Sequence, residues 1–262
     1  EIISTTNMAN AGHTAVNENG DAFIAKAIPS GSALNKWRED YNPIIFLGST
    51  CAFHLNRLLE EITECGVDNQ IFIHERSGII TDAQREAEGS ANGTKHIGST
   101  MQGCGAFLAD KVMRRPDLRL ARDYPELEQY MTDAFVNRLL DTDGELGRHV
   151  QGKSTAATLH KMLQLGWTIL HEGSQGFSLD INHGSHYPQC TSRSTTATQN
   201  LTDMGLPIQD MGDVYLVIRP YPIRVGNVIE EGKMVGYSGD AYPDQEETTW
   251  ADVAKACGAP EE

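Results

Sequence analysis

A short apolar run that opens into a glycine-flanked turn limits the folds available to this sequence more than any other feature. The run from Trp167 to Leu170 is followed, after one histidine, by EGSQG at residues 172–176. An apolar run bounded by glycines is typical of a buried strand that ends in a tight turn. The turn holds the amide of Gln175 between two glycines, where a ligand can approach the backbone closely. An amide donates and accepts hydrogen bonds at once, so Gln175 suits the edge of a nucleobase.

A hydroxyl-rich segment, TSRSTT at residues 191–196, lies downstream of this turn. Hydroxyls and a guanidinium are groups that bind phosphate, and Arg193 is a candidate for one such contact. Clusters of serine and threonine are also common in loops that bind nothing, so a plain polar loop after a buried strand is the alternative interpretation.

Predicted strands and helices alternate along the chain, which favours an α/β fold with a mostly parallel central sheet and helices on both faces. The predicted strands are residues 1–4, 23–28, 44–47, 71–73, 167–170 and 214–218. The predicted helices are residues 54–65 and 82–88, one between the glycine turn at 98 and residue 115, a longer one from 123–125 onward, and one that begins at 154 or 155. The residues after Asn227 are glycine-rich and acidic, and we predict irregular structure there.

The charge balance argues against nucleic acid as a partner. The chain has 36 acidic and 21 basic residues, a formal net charge of −15, so no surplus of cations exists to neutralise a phosphate backbone. The 5 cysteines form no CxxC pair and the 9 histidines form no HExxH motif, which argues against a zinc site. No apolar run reaches the roughly 18 residues of a membrane span. We expect a reduced, cytoplasmic protein that does not contact a membrane.

Residues 147–154, GRHVQGKS, match the phosphate-loop pattern G-x-x-x-x-G-K-[ST] in full. A working phosphate loop needs an apolar strand directly before its first glycine. Residues 141–146, DTDGEL, are acidic instead and follow a predicted helix. We predict that the match is fortuitous, and a generic nucleoside triphosphatase built on it is an alternative function.

Four segments resemble, in the same order, the motifs of the adenylosuccinate synthetase family. They are NAGHT at 10–14, GSTMQGCGAFLADKVMR at 98–114, the stretch 170–196, and IRVG at 223–226. The resemblance covers most of the chain and implies the P-loop-NTPase-like fold of that family, as a single incomplete domain over residues 1–262. Three details are similar to a phage branch that makes 2-aminoadenylosuccinate from deoxyguanylate: FSL at 177–179, CTSR at 190–193, and YPDQEE at 242–247 with Trp250 beyond it.

The resemblance implies a ligase of purine nucleotide biosynthesis. The γ-phosphoryl group of ATP or GTP moves to the carbonyl oxygen of a purine monophosphate, and the amino group of aspartate then displaces phosphate. Magnesium is the implied cofactor, and a homodimer the implied assembly. Deoxyguanylate is the favoured acceptor. Inosinate, the substrate of an ordinary adenylosuccinate synthetase, and a non-catalytic nucleotide-binding module are the alternatives.

The resemblance also implies roles near the reacting atoms. His13 is expected to donate a proton to the oxygen that is phosphorylated, a task that suits an imidazole. Gln175 is expected to bind the purine edge and to act with His13 in catalysis. The backbone carbonyl of Gly12 is expected to hold magnesium.

The remaining expected contacts are to the nucleotide. Phosphate contacts are expected from Asn10, Ser99, Thr100 and Thr191, and ribose contacts from Arg224 and Val225. The backbone amides at the start of the helix after Thr100 are expected to attract phosphate as well. Arg114, or Arg115 if the alignment slips by one residue, is expected to reach into the neighbouring subunit's site.

Other functional segments of the family have no match in these 262 residues. They include its phosphate loop, its aspartate-binding loop and its base-recognition segment for the triphosphate. The expectation is that this chain alone binds a nucleotide weakly and does not turn over.

Overall fold

A four-stranded parallel sheet forms the centre of the protein in the computed structural model. The structure describes residues 1–38, 40–90, 92–218, 225–239, 243–244, 246 and 248–258. Within these residues the strands are β1 (Ile2–Thr5), β2 (His13–Val16), β3 (Ala22–Ala25), β4 (Ile44–Leu47), β5 (Ala52–Phe53), β6 (Ile71–Ile73), β7 (Gly78–Ile79), β8 (Ile169–Glu172), β9 (Val228–Glu230) and β10 (Lys233–Gly236). The central sheet has the order β6-β4-β1-β8, and every neighbouring pair in it is parallel.

Helices cover both faces of this sheet. The helices of the described residues are α1 (Ala33–Trp37), α2 (Leu55–Cys65), α3 (Asp82–Gly89), α4 (Cys104–Met113), α5 (Thr132–Thr142), α6 (Gly144–Val150), α7 (Thr155–Gln164), α8 (Ala197–Asp203) and α9 (Trp250–Cys257). Of these, α1 and α2 pack on one face of the sheet, and α5, α6, α7 and α8 pack on the other. Successive strand residues point to opposite faces. Ile3 and Ile45 pack with Leu58 and Ile62 of α2, whereas Phe46 lies in a second cluster with residues of α5, α6, α7 and α8. The predicted α/β class and its two-sided cover are confirmed.

Local sequence signals set several helix ends as predicted. Gly66 ends α2 in the left-handed conformation, with φ of 64°. Thr81 precedes α3, and its backbone N–H donates to Gln84 Oε1 at 2.8 Å. Ser154 caps α7 by accepting from the amide of Ala157 at 3.4 Å.

The phosphate-loop match at residues 147–154 is not a phosphate loop in the structure. Its first half belongs to α6, which follows helix α5 and not a strand. Gly147 packs so tightly that a Cβ there would lie 2.6 Å from the backbone nitrogen of Leu140. Ser154, the last residue of the match, is the N-cap of α7. The prediction that this match is fortuitous is confirmed.

Three other predictions about secondary structure are wrong. Residues 214–218 form no strand, and their side chains are 56–97% exposed, because no described strand pairs with them and strand preference depends on such packing. The longer helix predicted from 123–125 begins as two 3₁₀ segments, Ala121–Asp123 and Pro125–Tyr130, and becomes an α-helix only at Thr132, the start of α5. The second brings Leu127 and Tyr130 onto one buried side, as i and i+3 residues of a 3₁₀ turn do.

The third wrong prediction concerns the residues after Asn227. They contain the β9–β10 hairpin and helix α9. Glu231 and Gly232 have φ of 49° and 74°, the positive values that a two-residue hairpin turn needs. Thr249 starts α9 by accepting from the amide of Asp252 at 3.2 Å.

The predicted strand at 23–28 is also different in detail, because its first residues form an antiparallel hairpin with β2 outside the central sheet. The predicted strand at 167–170 begins two residues later, as β8. Among the described residues, no helix is long and apolar enough to cross a membrane.

Candidate active site

The carboxyl ends of β1 and β8 lie side by side and open the candidate site. Thr5 pairs with Glu172 at the last position of the parallel ladder. The backbone N–H of Thr6 and the hydroxyl of Thr5 donate to the Glu172 carbonyl at 3.2 and 3.0 Å. The loop at residues 6–12 therefore leaves the sheet next to the turn at 173–176. Ligands of open parallel sheets bind at such a carboxyl edge.

His13, Glu172 and Ser30 form a hydrogen-bonded cluster at this edge. His13 Nδ1 contacts Glu172 Oε1. The backbone N–H of Ser30 donates to Glu172 Oε1 and Oε2 at 3.2 and 3.1 Å, and the Ser30 hydroxyl donates to Oε2. Burial alone would raise the pKa of the Glu172 carboxyl, but the contacts with His13 and Ser30 hold that pKa below its ordinary value. Glu172 is therefore ionised near neutral pH.

Gln175 lies in the turn just beyond this cluster. Its side chain is exposed and its φ is 70°, in the left-handed region. A non-glycine residue in that region costs about 1 kcal/mol or more, so the turn holds a strained backbone at the mouth of the site. The expected contact of Gln175 with a purine stays a prediction.

Asp180 organises the segment that contains Thr191. Its side chain is buried, and its carboxylate accepts from the Ser194 hydroxyl at 2.7 Å and from the Thr195 amide at 2.6 Å. The hydrogen bond from Ser194, with those from three backbone amides, holds the pKa of Asp180 well below its ordinary range. Thr191 itself is tied to the preceding loop, since its amide donates to the Leu179 carbonyl at 2.8 Å. The hydroxyl-rich segment is therefore fixed against the Gln175 loop.

The Arg193 guanidinium is paired with groups of the protein itself. It forms an ion pair with Asp203, whose side chain is 1% exposed, and donates to the Thr6 carbonyl at 3.1 Å. The structure does not support the suggestion that Arg193 adds a phosphate contact, because the Asp203 carboxylate and the carbonyls of Thr6 and Ser194 accept from three of its five N–H groups. Its role is to join the hydroxyl-rich segment to the end of β1 and to α8.

The first amides of α4 are also occupied. The Glu88 carboxylate is buried and accepts from the amides of Gly103 at 2.8 Å, Gly105 at 2.5 Å and Ala106 at 3.3 Å. These are the helix-start donors that the sequence offered to phosphate, so that expectation is wrong. Glu88 satisfies them with its own negative charge, which the helix dipole favours.

Three motif segments nevertheless meet around the start of α4. The backbone amides of residues 9–10 face the thiol of Cys104. The hydroxyl of Ser192 lies 2.8 Å from the point where a Cβ on Gly105 would stand, so this close approach requires glycine. Residues 99–103 lead directly into the same helix end. The structure thus brings together the segments that carry Asn10, Ser99, Thr100 and Thr191, and their phosphate contacts stay predictions.

Other predicted site residues lie elsewhere. Arg114 is exposed at the opposite end of α4, roughly 15 Å from the helix start at 1.5 Å per residue. Val225 is 46% exposed, and Trp250 begins α9. Gly12, by contrast, directly precedes His13 and is exposed in the loop at the site. Arg224 lies outside the described residues, as do Tyr242, Gln245 and Glu247 of the 242–247 segment.

Sequence reasoning missed Glu172 as the partner of His13. The available signal was a carboxylate at the last position of a strand that opens into the site. Ser30 gave no signal, because its link to Glu172 joins residues 142 positions apart.

The sequence matches the family model described as "Adenylosuccinate synthetase" over residues 2–236. This chain belongs to the adenylosuccinate synthetase family. It is 33% identical over 264 residues to the N6-succino-2-amino-2'-deoxyadenylate synthase of Acinetobacter phage SH-Ab 15497, covering 95% of this chain and 65% of that protein. It is 31% identical over 219 residues to the adenylosuccinate synthetase of Pyrococcus horikoshii, covering 83% of this chain and 56% of that protein.

Solved structures give the same family fold. The chain superimposes on a cyanophage S-2L succinoaminodeoxyadenylate synthetase, solved with dGMP and with dATP as an energy donor. That match has a TM-score of 0.70 and 29% identity, over 100% of this chain and 66% of that one. The chain thus spans just under two thirds of the length of the phage relatives it matches.

Proposed function

We propose that this chain carries the purine-monophosphate site of a ligase that joins aspartate to deoxyguanylate and forms 2-aminoadenylosuccinate. The observation that carries the proposal is the meeting of three family motif segments around the start of α4. The similarity to phage relatives with that activity supports deoxyguanylate as the acceptor.

The reaction takes two steps. N1 of the base loses its proton, the oxygen at position 6 attacks the γ-phosphorus of ATP or GTP, the bond to the bridging oxygen breaks, and the nucleoside diphosphate leaves. The amino group of aspartate then attacks C6, the C6–O bond breaks, and inorganic phosphate leaves as the amine loses a proton. The first step makes a poor leaving group into a good one.

Each site residue has a defined task in this scheme. His13 donates through Nε2 to the oxygen that receives the phosphoryl group; because its Nδ1 proton already faces Glu172, this donor requires the doubly protonated form of the ring. Gln175 binds the base edge from its exposed turn. The segments of Asn10, Thr100 and Thr191 hold the 5′-phosphate and fix the base relative to His13.

Magnesium fits this loop through Gly12. A backbone carbonyl is a hard oxygen donor, and magnesium keeps most of its coordination for water and substrate phosphates. Among the described residues no group of three or more His, Cys, Asp or Glu side chains could form an all-protein cage, which is consistent with a site completed by ligands. When bound, the ion neutralises charge on the phosphoryl oxygens.

Base preference is the direct test of the proposed substrate. The 2-amino group of guanine donates hydrogen bonds, and a site built for it offers an acceptor that costs about 1–3 kcal/mol when left unpaired. We expect the full-length protein, given aspartate, magnesium and a triphosphate, to use deoxyguanylate at least about tenfold more efficiently than deoxyinosinate. Phosphate release under steady-state conditions gives kcat/KM for each acceptor.

Deoxyinosinate is the matched control in this assay, because it differs from deoxyguanylate only in the 2-amino group. Inosinate is tested beside it to include the ordinary ribonucleotide. If inosinate were turned over as fast as deoxyguanylate or faster, the protein would be an ordinary adenylosuccinate synthetase and the proposed substrate would be wrong. The 262-residue chain alone is expected to bind deoxyguanylate weakly in calorimetry, without aspartate-dependent phosphate release.

We also propose a homodimer in which Arg114 completes the partner's site. The side chain of Arg114 cannot cover the roughly 15 Å from its own end of α4 to the segments of Thr100 and Thr191 at the start of that helix. Val112 and Met113, which precede it, are 74% and 65% exposed, and such apolar side chains are suited to burial against a second subunit.

Subunit complementation tests this dimer. Full-length Arg114→Leu and Thr191→Ala are each expected to be inactive, because each removes one phosphate contact from both sites of its dimer. Mixed heterodimers contain one site with both residues intact, so we expect up to about a quarter of wild-type activity after statistical exchange of subunits. Light scattering confirms the dimers. A mixture that stays inactive despite confirmed heterodimers would remove the case for a shared site.

A further inference from the structure

We infer that Glu172 is a positioning residue that fixes the tautomer and orientation of His13, so that Nε2 faces the nucleotide. The inference rests on the proposed role of His13 in the reaction. It extends that role to a carboxylate that no motif of the sequence analysis assigned.

The Glu172 carboxylate is held from several directions. Its backbone ends β8 in register with Thr5, so its Cα is fixed by the central sheet. Ser30 donates to it through both its amide and its hydroxyl, so each carboxylate oxygen has a donor from Ser30. The Glu172 side chain is 24% exposed. Because the Glu172 carboxylate is held in this way, it can fix the orientation of a further group that contacts it.

This further group is the imidazole of His13. An ionised carboxylate only accepts hydrogen bonds, so Nδ1 of His13 carries the proton that lies between them. The ring is then fixed about its side-chain torsions, and Nε2 is the nitrogen left to meet a ligand. A second group that fixes the tautomer of a working histidine is a general device of active sites and metal sites.

The same contact could have a purely structural function, since it joins the β2–β3 hairpin to β8. The two explanations differ in what they predict. If the contact is only structural, Glu172→Gln lowers the free energy of unfolding, and it does so whether residue 13 is histidine or asparagine. A positioning contact changes turnover more than substrate affinity, and its effect disappears when the imidazole is absent.

The kinetic test uses the full-length protein with Glu172→Gln, which keeps the shape of the side chain and removes its charge. We expect kcat to fall about 10–100-fold, with the KM for deoxyguanylate changed less than threefold. In a His13→Asn background the same substitution is expected to change the residual kcat by less than twofold. Equal losses in both backgrounds would overturn the inference, as would a kcat for Glu172→Gln within twofold of the wild type.

A spectroscopic test does not depend on activity and uses the full-length protein. With ¹⁵N-histidine labelling at a pH where imidazole is neutral, the His13 ring is expected to show a protonated Nδ1. The signal is assigned by its loss in His13→Asn. In Glu172→Gln it should shift towards the Nε2-protonated form, with circular dichroism unchanged. A wild-type ring protonated on Nε2 would overturn the inference even in an active enzyme. The expected tautomer in a protein without ligase activity would instead refute the proposed function alone.

Discussion

Replacing His13 with asparagine is expected to lower kcat of the full-length protein by about 10²–10⁴-fold, the range for loss of a positioned proton donor. Asparagine keeps a donor near the place of Nδ1 and therefore preserves contact with Glu172. It cannot place a second donor where Nε2 lies. Binding of deoxyguanylate should change less than about threefold, because the phosphate segments around α4 are untouched. Steady-state phosphate release and calorimetry measure the two effects separately.

His149→Asn is the matched control for this experiment. His149 is exposed on α6, away from the central sheet edge, and the same chemical change there should leave kcat unaltered. A His13→Asn enzyme that retains kcat within threefold of the wild type would contradict a catalytic role. Weaker deoxyguanylate binding with unchanged kcat would show that His13 contributes to ground-state binding only.

Much of the sheet and its helices could be predicted because the relevant signals are local. The run at 44–47 is apolar throughout and bounded by Pro43 and Gly48, and it forms the buried strand β4. The spacing of Leu55, Leu58 and Ile62, with Gly66 after them, predicted α2 almost to the residue. The failure at 214–218 has the opposite cause, since apolar, β-branched residues form a strand only where a neighbour pairs with them.

The candidate site could be predicted only in part, for a related reason. The order of the motifs located the segments, but the pairing of charges inside them is decided by the fold. Arg193 looked like a phosphate ligand until its guanidinium was found on Asp203 and on the carbonyl of Thr6, 187 positions away. The sequence indicated that the amides at the start of α4 were unpaired, whereas in the structure the Glu88 carboxylate accepts hydrogen bonds from them. The sequence did not place the end of β1 beside Arg193, nor α3 beside the start of α4.

The ion pair between Arg193 and Asp203 is expected to dominate the stability of the site. Arg193→Met should lower the free energy of unfolding by about 3–5 kcal/mol, because it leaves a buried carboxylate without its cation. The side chains are 12% and 1% exposed, so water cannot replace the lost partner. Among the described residues, the Asp203 carboxylate would keep only the hydrogen bond from Gln199, at 2.9 Å. Urea unfolding followed by circular dichroism measures the change.

The double variant Arg193→Met with Asp203→Leu distinguishes the effect of an unpaired buried charge from the effect of altered side-chain packing. Both charges are then absent, and an apolar pair of similar volume should recover the free energy of unfolding to within about 1–2 kcal/mol of the wild type. Arg85→Met is the exposed control: its partner Asp82 is 89% exposed at an N–O distance of 3.5 Å, so the expected change is below about 1 kcal/mol. If Arg193→Met cost no more than Arg85→Met, the buried pair would not be what holds the hydroxyl-rich segment to β1. A double variant as unstable as Arg193→Met would instead assign the loss to the bond between Arg193 and Thr6, since that bond is absent from both.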